Sequence, residues 1–339
     1  MRRLPTTDIY LVNACAGAIA PRWRTARARP LRALSANAFT CGDWLVLVRR
    51  DSPAVMRRAL AWPGRLAYLV DDDIAAGMDD PTIAAPYRQR LAAFWRDFHR
   101  ALLRRADALV VPSAVLAARF ATDPAITAAI HRIEPCWLEH FAEPGHFAAL
   151  ADGAPLRLAH LGSASHRGAL DRLAPVLRRL LDRHARLELT YVAAAPAPPA
   201  LTGAPRVRRE PPRLWPAYRR WLVGQRFHLG LYPLLATAFD GARSANKLHE
   251  HAIVGAVGVY PQGWAPGEAL ARAEAAILAP AAIGDWEATI EEAIADRARL
   301  GAIAARARET LSAAQPRAKQ QQLWGKILGT ELSGNLLTR

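Results

Sequence analysis

Lysine is nearly missing from this chain: of 45 basic residues only Lys247, Lys319 and Lys326 are lysines, and the rest are arginines. An ammonium is a compact point charge where a guanidinium is a planar fork, so the lysine at position 247 hints at a spot that takes a small cation. Cysteine is equally sparse. Cys15, Cys41 and Cys136 are an odd number with no C-x-x-C spacing, which argues against a disulfide framework and a zinc site and fits a reducing cytoplasm. Long apolar runs are also missing, and no segment approaches the ~20 residues of a membrane span. The opening MRRLPTTDIYLVNACAGAIA has the basic start and short apolar run of a signal peptide, but Asp8 and Asn13 interrupt it. A buried first strand followed by a glycine turn reads the same residues, and that reading is preferred.

With 339 residues, the chain is long for one core and comfortable for two. A hydrophobic fraction of 52% with 22% charged residues is that of a globular protein. The formal charge of +15 predicts attraction to polyanions. Its arginines are scattered over many amphipathic segments, with clusters at Arg22 to Arg32 and Arg206 to Arg220, and no helix-turn-helix, zinc-finger or RNP signature accompanies them. No nucleic-acid partner is therefore expected; phosphorylated small molecules and an anionic membrane surface are retained.

Short, continuously apolar runs alternate with longer amphipathic ones. Ile9 to Val12, Leu45 to Val48, Leu66 to Val70 and Ala108 to Val111 read as buried strands of a parallel sheet, with helices from Pro86 to Asp107 and from Ala114 to Phe120 and a further strand near His131 to Ile133. Trp137 to Pro155 is a linker candidate. The pattern then starts anew, with strands at Leu156 to Leu161, Leu187 to Val192, Val207 to Arg209, Phe227 to Tyr232, Val257 to Tyr260 and Ala275 to Leu278. Helices are expected at Ala169 to Leu181, Pro212 to Val223, Ser244 to Val254 and Trp286 to Arg308, and a last one at Arg317 to Leu328. The expected fold class is α/β: two Rossmann-like parallel-sheet domains, 1–150 and 151–312, facing a central cleft, with 313–339 packing back on the first. Ligands in such sheets bind outside the carboxyl ends of the strands.

Three stretches stand there. In HLGSASHRG, a strand runs into Gly162, Ser163, His166 and Arg167 ahead of a helix, a small-residue loop whose free N–H groups suit a phosphate; a plain capped turn reads the same residues. In FDGARSANKLHEHAIVGAVGVYP, a helix capped by Ser244 puts Arg243, Lys247 and Glu250 on one face between two buried strands, which aims the charges at the cleft; the bland alternative is a salt-bridged surface helix. Asp71, Asp72 and Asp73 follow a strand, and Asp72 or Asp73 is the preferred carboxylate to take a proton from an acceptor, against helix capping and solvated charge. Among the histidines, His166 is the one placed to meet the cleft.

The stretch from Phe227 to Pro261 resembles the group 1 glycosyltransferases of GT-B fold, as do GSASHRG, YLVDDDI (Tyr68 to Ile74) and RADALVVPSAVLA (Arg105 to Ala117). The likeness runs from about Leu66 to Leu311. It implies a bacterial, metal-independent enzyme that transfers sugar from a nucleotide-sugar donor to a glycan, lipid-linked or phosphorylated acceptor in cell-envelope polysaccharide synthesis, with no cofactor. It also implies that Glu250 meets the ribose hydroxyls, that Arg243 and Lys247 meet the diphosphate, and that Gly162, Ser163, His166, Arg167 and Ser244 complete the donor site. Asp72, Asp73 and His166 are the catalytic candidates. Retaining members carry a glutamate eight residues before the ribose-binding one, where this chain has Ala242; a non-catalytic nucleotide- or glycan-binding relative is the second reading. The expected location is cytoplasmic, peripheral to the inner membrane face.

Overall fold

The computed structural model describes residues 2–20, 30–162, 164–194 and 196–332. Ser163 and most of the Arg22 to Arg32 cluster lie outside them. Thirteen described strands form two sheets. The first holds β1 (Ile19–Ala20), β2 (Leu31–Ala33), β3 (Ala38–Cys41), β4 (Trp44–Val48), β5 (Arg65–Leu69), β6 (Ala108–Val111) and β7 (Ala129–Arg132), in that order. The second holds β8 (Leu156–His160), β9 (Leu187–Val192), β10 (Val207–Glu210), β11 (Leu229–Leu231), β12 (Val257–Pro261) and β13 (Ile277–Ala279), ordered β10-β9-β8-β11-β12-β13.

All pairings in the second sheet are parallel, and its order reverses between β8 and β11, the position where an open α/β sheet leaves a crevice. β11 and β12 at its centre are buried end to end, because helices cover both faces and their side chains are leucine, valine, tyrosine and proline between glycines.

The first sheet departs from an all-parallel arrangement. β3 runs antiparallel to both β2 and β4, and a two-residue loop, Gly42-Asp43, joins it to β4. Gly42 has φ +57°, a left-handed conformation that a hairpin turn needs and glycine adopts without a Cβ clash. From β4 onward the pairing is parallel.

Ile9 to Val12, expected as a strand, is instead helical. Residues 5–15 wind as a helix whose Asp8–Val12 turn is widened to the π form. The widening leaves backbone carbonyls to be satisfied from outside. Gln320 Nε2 and the Cys136 N–H donate to the Ile9 carbonyl at 2.9 and 3.0 Å, and Trp324 Nε1 donates to that of Tyr10 at 2.7 Å. Through these bonds the last helix, Pro316–Leu328, is fastened to the N-terminal one, with Trp324 fully buried.

The halves also meet through helix Ile74–Asp79 and the short helix Ala238–Gly241. A Cβ on Gly77 would lie 2.8 Å from the Phe239 ring, so glycine lets the two backbones approach. Among the described residues, no helix is long and apolar enough to cross a membrane.

Candidate functional site

A cavity of about 550 Å³ opens between the two sheets at their carboxyl ends. The end of β4 sends in Arg49, the end of β5 Asp71 and Asp72, and the end of β8 Leu161 and Gly162. Val192 ends β9 and Ala193 and Ala194 follow it, Tyr232 follows β11, and Arg243, Ser244, Lys247 and Glu250 enter from the stretch before β12.

Helix Asn246–Ile253 carries Lys247 and Glu250 one turn apart, and Lys247 Nζ lies 2.7 Å from Glu250 Oε2. The same ammonium donates to the Leu161 carbonyl at the end of β8. Tyr218 O–H donates to Glu250 Oε2 at 2.6 Å; burial and the adjacent carboxylate push the phenol well above its ordinary pKa, so it stays a donor. Arg243 precedes the helix. The N-cap is Ala245, Ser244 makes no capping bond, and Arg243 comes in from the loop after the preceding short helix. Its guanidinium lies over the Phe239 ring at 4.3 Å, with Nε 3.2 Å from Asp240 Oδ1 and Nη1 3.3 Å from Asp72 Oδ1.

The three aspartates after β5 part company. Asp72 lines the cavity, but its two oxygens are taken by Arg243 and by Arg49 Nη2, the latter at 2.5 Å. Burial works against its charge, yet Arg49 and Arg243 outweigh it and hold the carboxyl below the usual range. Asp73 does not reach the cavity: Oδ1 accepts the Ala76 N–H at 2.9 Å as a helix N-cap, and Oδ2 pairs with Arg119. Asp71, named with the other two but not the preferred one, lines the cavity instead; it accepts from Thr6 and pairs with Arg49, and its Oδ1 is buried without a partner. Burial, with Asp72 adding to it, raises the Asp71 carboxyl against the pull of Arg49.

Of the loop after β8, Gly162 and His166 line the cavity. Arg167 turns away to pair with Asp171 at 2.7 Å and to donate to the Pro196 carbonyl at 2.6 Å. His166 is buried, and burial together with Arg243 and Lys247 holds its imidazole well below the ordinary value, so it is neutral at pH 7. Gly162 is confined: a Cβ there would overlap the His160 ring and stand 3.0 Å from His166 Cβ. Gly162→Ala is expected to cost about 1–3 kcal/mol and to displace His166, seen as a lower urea midpoint at unchanged m-value.

The remaining wall is aromatic. Trp137 and Trp215 meet edge to face at 5.3 Å, Tyr218 stacks beyond Trp215, and Trp215 Nε1 reaches across the halves to Asp8 Oδ2 at 2.7 Å. These rings come from the linker and from helix Trp215–Val223, and the tryptophan-rich LWPAYRRW was the only sequence trace of them. Ala242 is 1% exposed and lines no part of the cavity. The nearby Asp240 is occupied as well, Oδ2 accepting the Leu235 N–H at 2.9 Å and Oδ1 facing Arg243.

No family model and no curated protein matches the sequence. Solved structures do match the fold. Sucrose-phosphate synthase of Thermosynechococcus elongatus superposes with a TM-score of 0.59 at 12% identity, over 85% of this chain and 74% of that one. HepE of Anabaena in complex with UDP-glucose gives 0.56 at 13% identity, over 84% and 78%. WaaG, a glycosyltransferase involved in lipopolysaccharide biosynthesis, gives 0.55 at 14% identity, over 81% of each chain. The chain thus has the GT-B fold, two Rossmann-like halves facing a central cleft.

Proposed function

We propose that the chain transfers a sugar from a nucleotide-sugar donor to a glycan, glycolipid or phosphorylated acceptor in cell-envelope polysaccharide synthesis, at the cytoplasmic face of an anionic membrane. Residues 1–150 hold the acceptor, 151–312 the donor, and 313–339 pack back on the first domain. One observation carries this reading: Arg243, Lys247 and Glu250 converge on one wall of the cavity between the sheets. The complexes that HepE forms with UDP and UDP-glucose support the donor class, and the lipopolysaccharide role of WaaG supports the acceptor class.

In the transfer, the bond from the anomeric carbon to the diphosphate oxygen breaks, the acceptor oxygen bonds to that carbon, and the acceptor's proton passes to the leaving diphosphate. Negative charge grows on the leaving diphosphate, where Arg243 and Lys247 stabilise it in a partly dry site, without a cofactor or metal in the scheme. The Glu250 oxygen that Tyr218 and Lys247 leave free accepts from the ribose hydroxyls. Neutral His166 offers a hydrogen bond to a sugar hydroxyl and is too weakly basic to carry the acceptor proton. Gly162 and Ser244 line the phosphate side, Ser163 lies outside the described residues, and Asp73 and Arg167 are given no part.

The buried Ala242 favours a second reading, a non-catalytic binder of the same ligands. A thermal-shift screen with nucleoside diphosphates, followed by transfer assays with nucleotide sugars and lipid-linked acceptors in anionic vesicles, tests both. Saturation at a hundred times Kd stabilises by about 2.7 kcal/mol, and vesicle-dependent transfer falls at high salt. A shift without transfer selects the binder, and no shift with any diphosphate overturns both.

A further inference from the structure

Each cation of the donor wall is already neutralised from within the cleft. Lys247 has Glu250, Arg243 has Asp240, and between Arg243 and Arg49 stands Asp72. That one carboxylate holds two guanidiniums from opposite halves, Nη1 of Arg243 at 3.3 Å on Oδ1 and Nη2 of Arg49 at 2.5 Å on Oδ2. A phosphate group bridging two arginines does the same with its own oxygens. Arg243 also has a donor in reserve: its Nη2 is buried without a partner, on a side chain only 10% exposed in the cavity wall.

We propose that Asp72 is a placeholder for the donor's phosphate, occupying Arg243 and Arg49 while the cleft is empty and yielding Arg243 to the diphosphate when it arrives. This rests on the cavity being the nucleotide-sugar site. Both oxygens of Asp72 carry a guanidinium, which holds the carboxylate in its charged, ion-paired form, so it is a positioning residue that acts through Arg243. The exchange works in both directions. A carboxylate that competes for Arg243 weakens the grip on the product diphosphate, and product release sets the turnover of many transferases.

Asp72→Asn removes the charge at nearly constant volume. Neither guanidinium is stranded, because Arg49 keeps Asp71 at 3.4 Å and Arg243 keeps Asp240 at 3.2 Å. The variant is expected to bind inorganic pyrophosphate and UDP about tenfold more tightly than the natural protein, roughly 1.4 kcal/mol. In transfer assays KM for the donor and kcat should fall together. A damaged structure or a lost catalytic base would lower kcat without tightening an anion.

Calorimetric titration of the full chain, Asp72→Asn and Asp72→Ser with pyrophosphate and with UDP gives the decision. Tighter pyrophosphate binding in both variants supports the placeholder, even if UDP binds no better than pyrophosphate, which would count against the nucleotide reading alone. Equal or weaker pyrophosphate binding in the variants overturns it, and so does a natural protein and variants that all fail to bind pyrophosphate. Should Asp72→Asn fail to fold, Asp72→Ser decides by the same comparison.

Discussion

On the proposed function, Lys247→Ala is expected to lower kcat/KM for sugar transfer by about a hundred- to a thousandfold, the loss that follows removal of one preorganised group from a developing negative charge. The side chain is 11% exposed, and its ammonium is fixed from two sides, by Glu250 and by the Leu161 carbonyl at the end of β8. Those contacts stretch the side chain from helix Asn246–Ile253 across to the neighbouring strand end, so its charge is in place before the ligand arrives. Alanine leaves Glu250 with the Tyr218 hydroxyl and leaves the Leu161 carbonyl without the ammonium, at a cost of about 1–3 kcal/mol that a folded variant survives. Nucleoside-diphosphate affinity should fall in parallel with transfer. Lys247→Arg should restore only a small part, because a planar fork does not fit the point between a carbonyl and a carboxylate that an ammonium fills. Steady-state kinetics and titration with UDP check the pair; activity within threefold of the natural protein in Lys247→Ala would remove the lysine from the site.

That lysine was legible because its rarity and helical spacing concern a few neighbouring residues. The strands of the second sheet were legible for a similar local reason: Val257–Pro261 is buried and apolar without alternation, while Leu187–Val192 alternates apolar residues with Glu188 and Thr190. Where the reading failed, the deciding partners were distant. Ile9, Tyr10 and Leu11 are all buried, and an apolar run of that length is the same for a strand and for a helix buried all round. Only the carbonyl partners on the last helix, more than three hundred residues away, tell them apart. The hairpin from β3 to β4 did leave a trace, a Gly-Asp pair between short apolar runs.

In the site, Arg243 came into the cavity by a loop rather than by the helix face on which spacing had put it. Arg49 could not be foreseen, since its place depends on a left-handed backbone, φ +54°, after β4 and on aspartates of the next strand. Asp73 was misread for the opposite reason. A carboxylate before a helix caps it as readily as it faces a ligand, and Arg119, which holds it, comes from another helix.

Acidification from pH 7.5 to pH 5 should destabilise the protein severely. His99, His160 and His251 are buried, and burial foremost holds each imidazole down at about 3; His249 is held at about 4 by burial alone. Nearby cations add to the effect, Arg49 for His99 and Lys247 for His160 and His251. For each group the folded value lies below the unfolded value near 6.5, so the unfolded chain takes up protons first as pH falls. Their contribution is fully present above about pH 6.5 and is lost progressively below it, until the folded values are reached. At 1.36 kcal/mol per unit, each imidazole costs about 2 kcal/mol by pH 5. Four of them cost roughly 8 kcal/mol, the size of a whole domain's stability. Asp71, Asp73 and Glu134, whose carboxyls burial raises, gain protons first in the folded state and oppose the trend. Urea midpoints across the range measure the loss. His249, which packs against the Phe141 ring at 5.7 Å, gives the sharpest control: His249→Phe removes one titrating group and should flatten the slope by one proton between pH 6.5 and about 4. A midpoint that holds steady from pH 7.5 to 5 would mean that these imidazoles are solvated and free to charge in the folded protein.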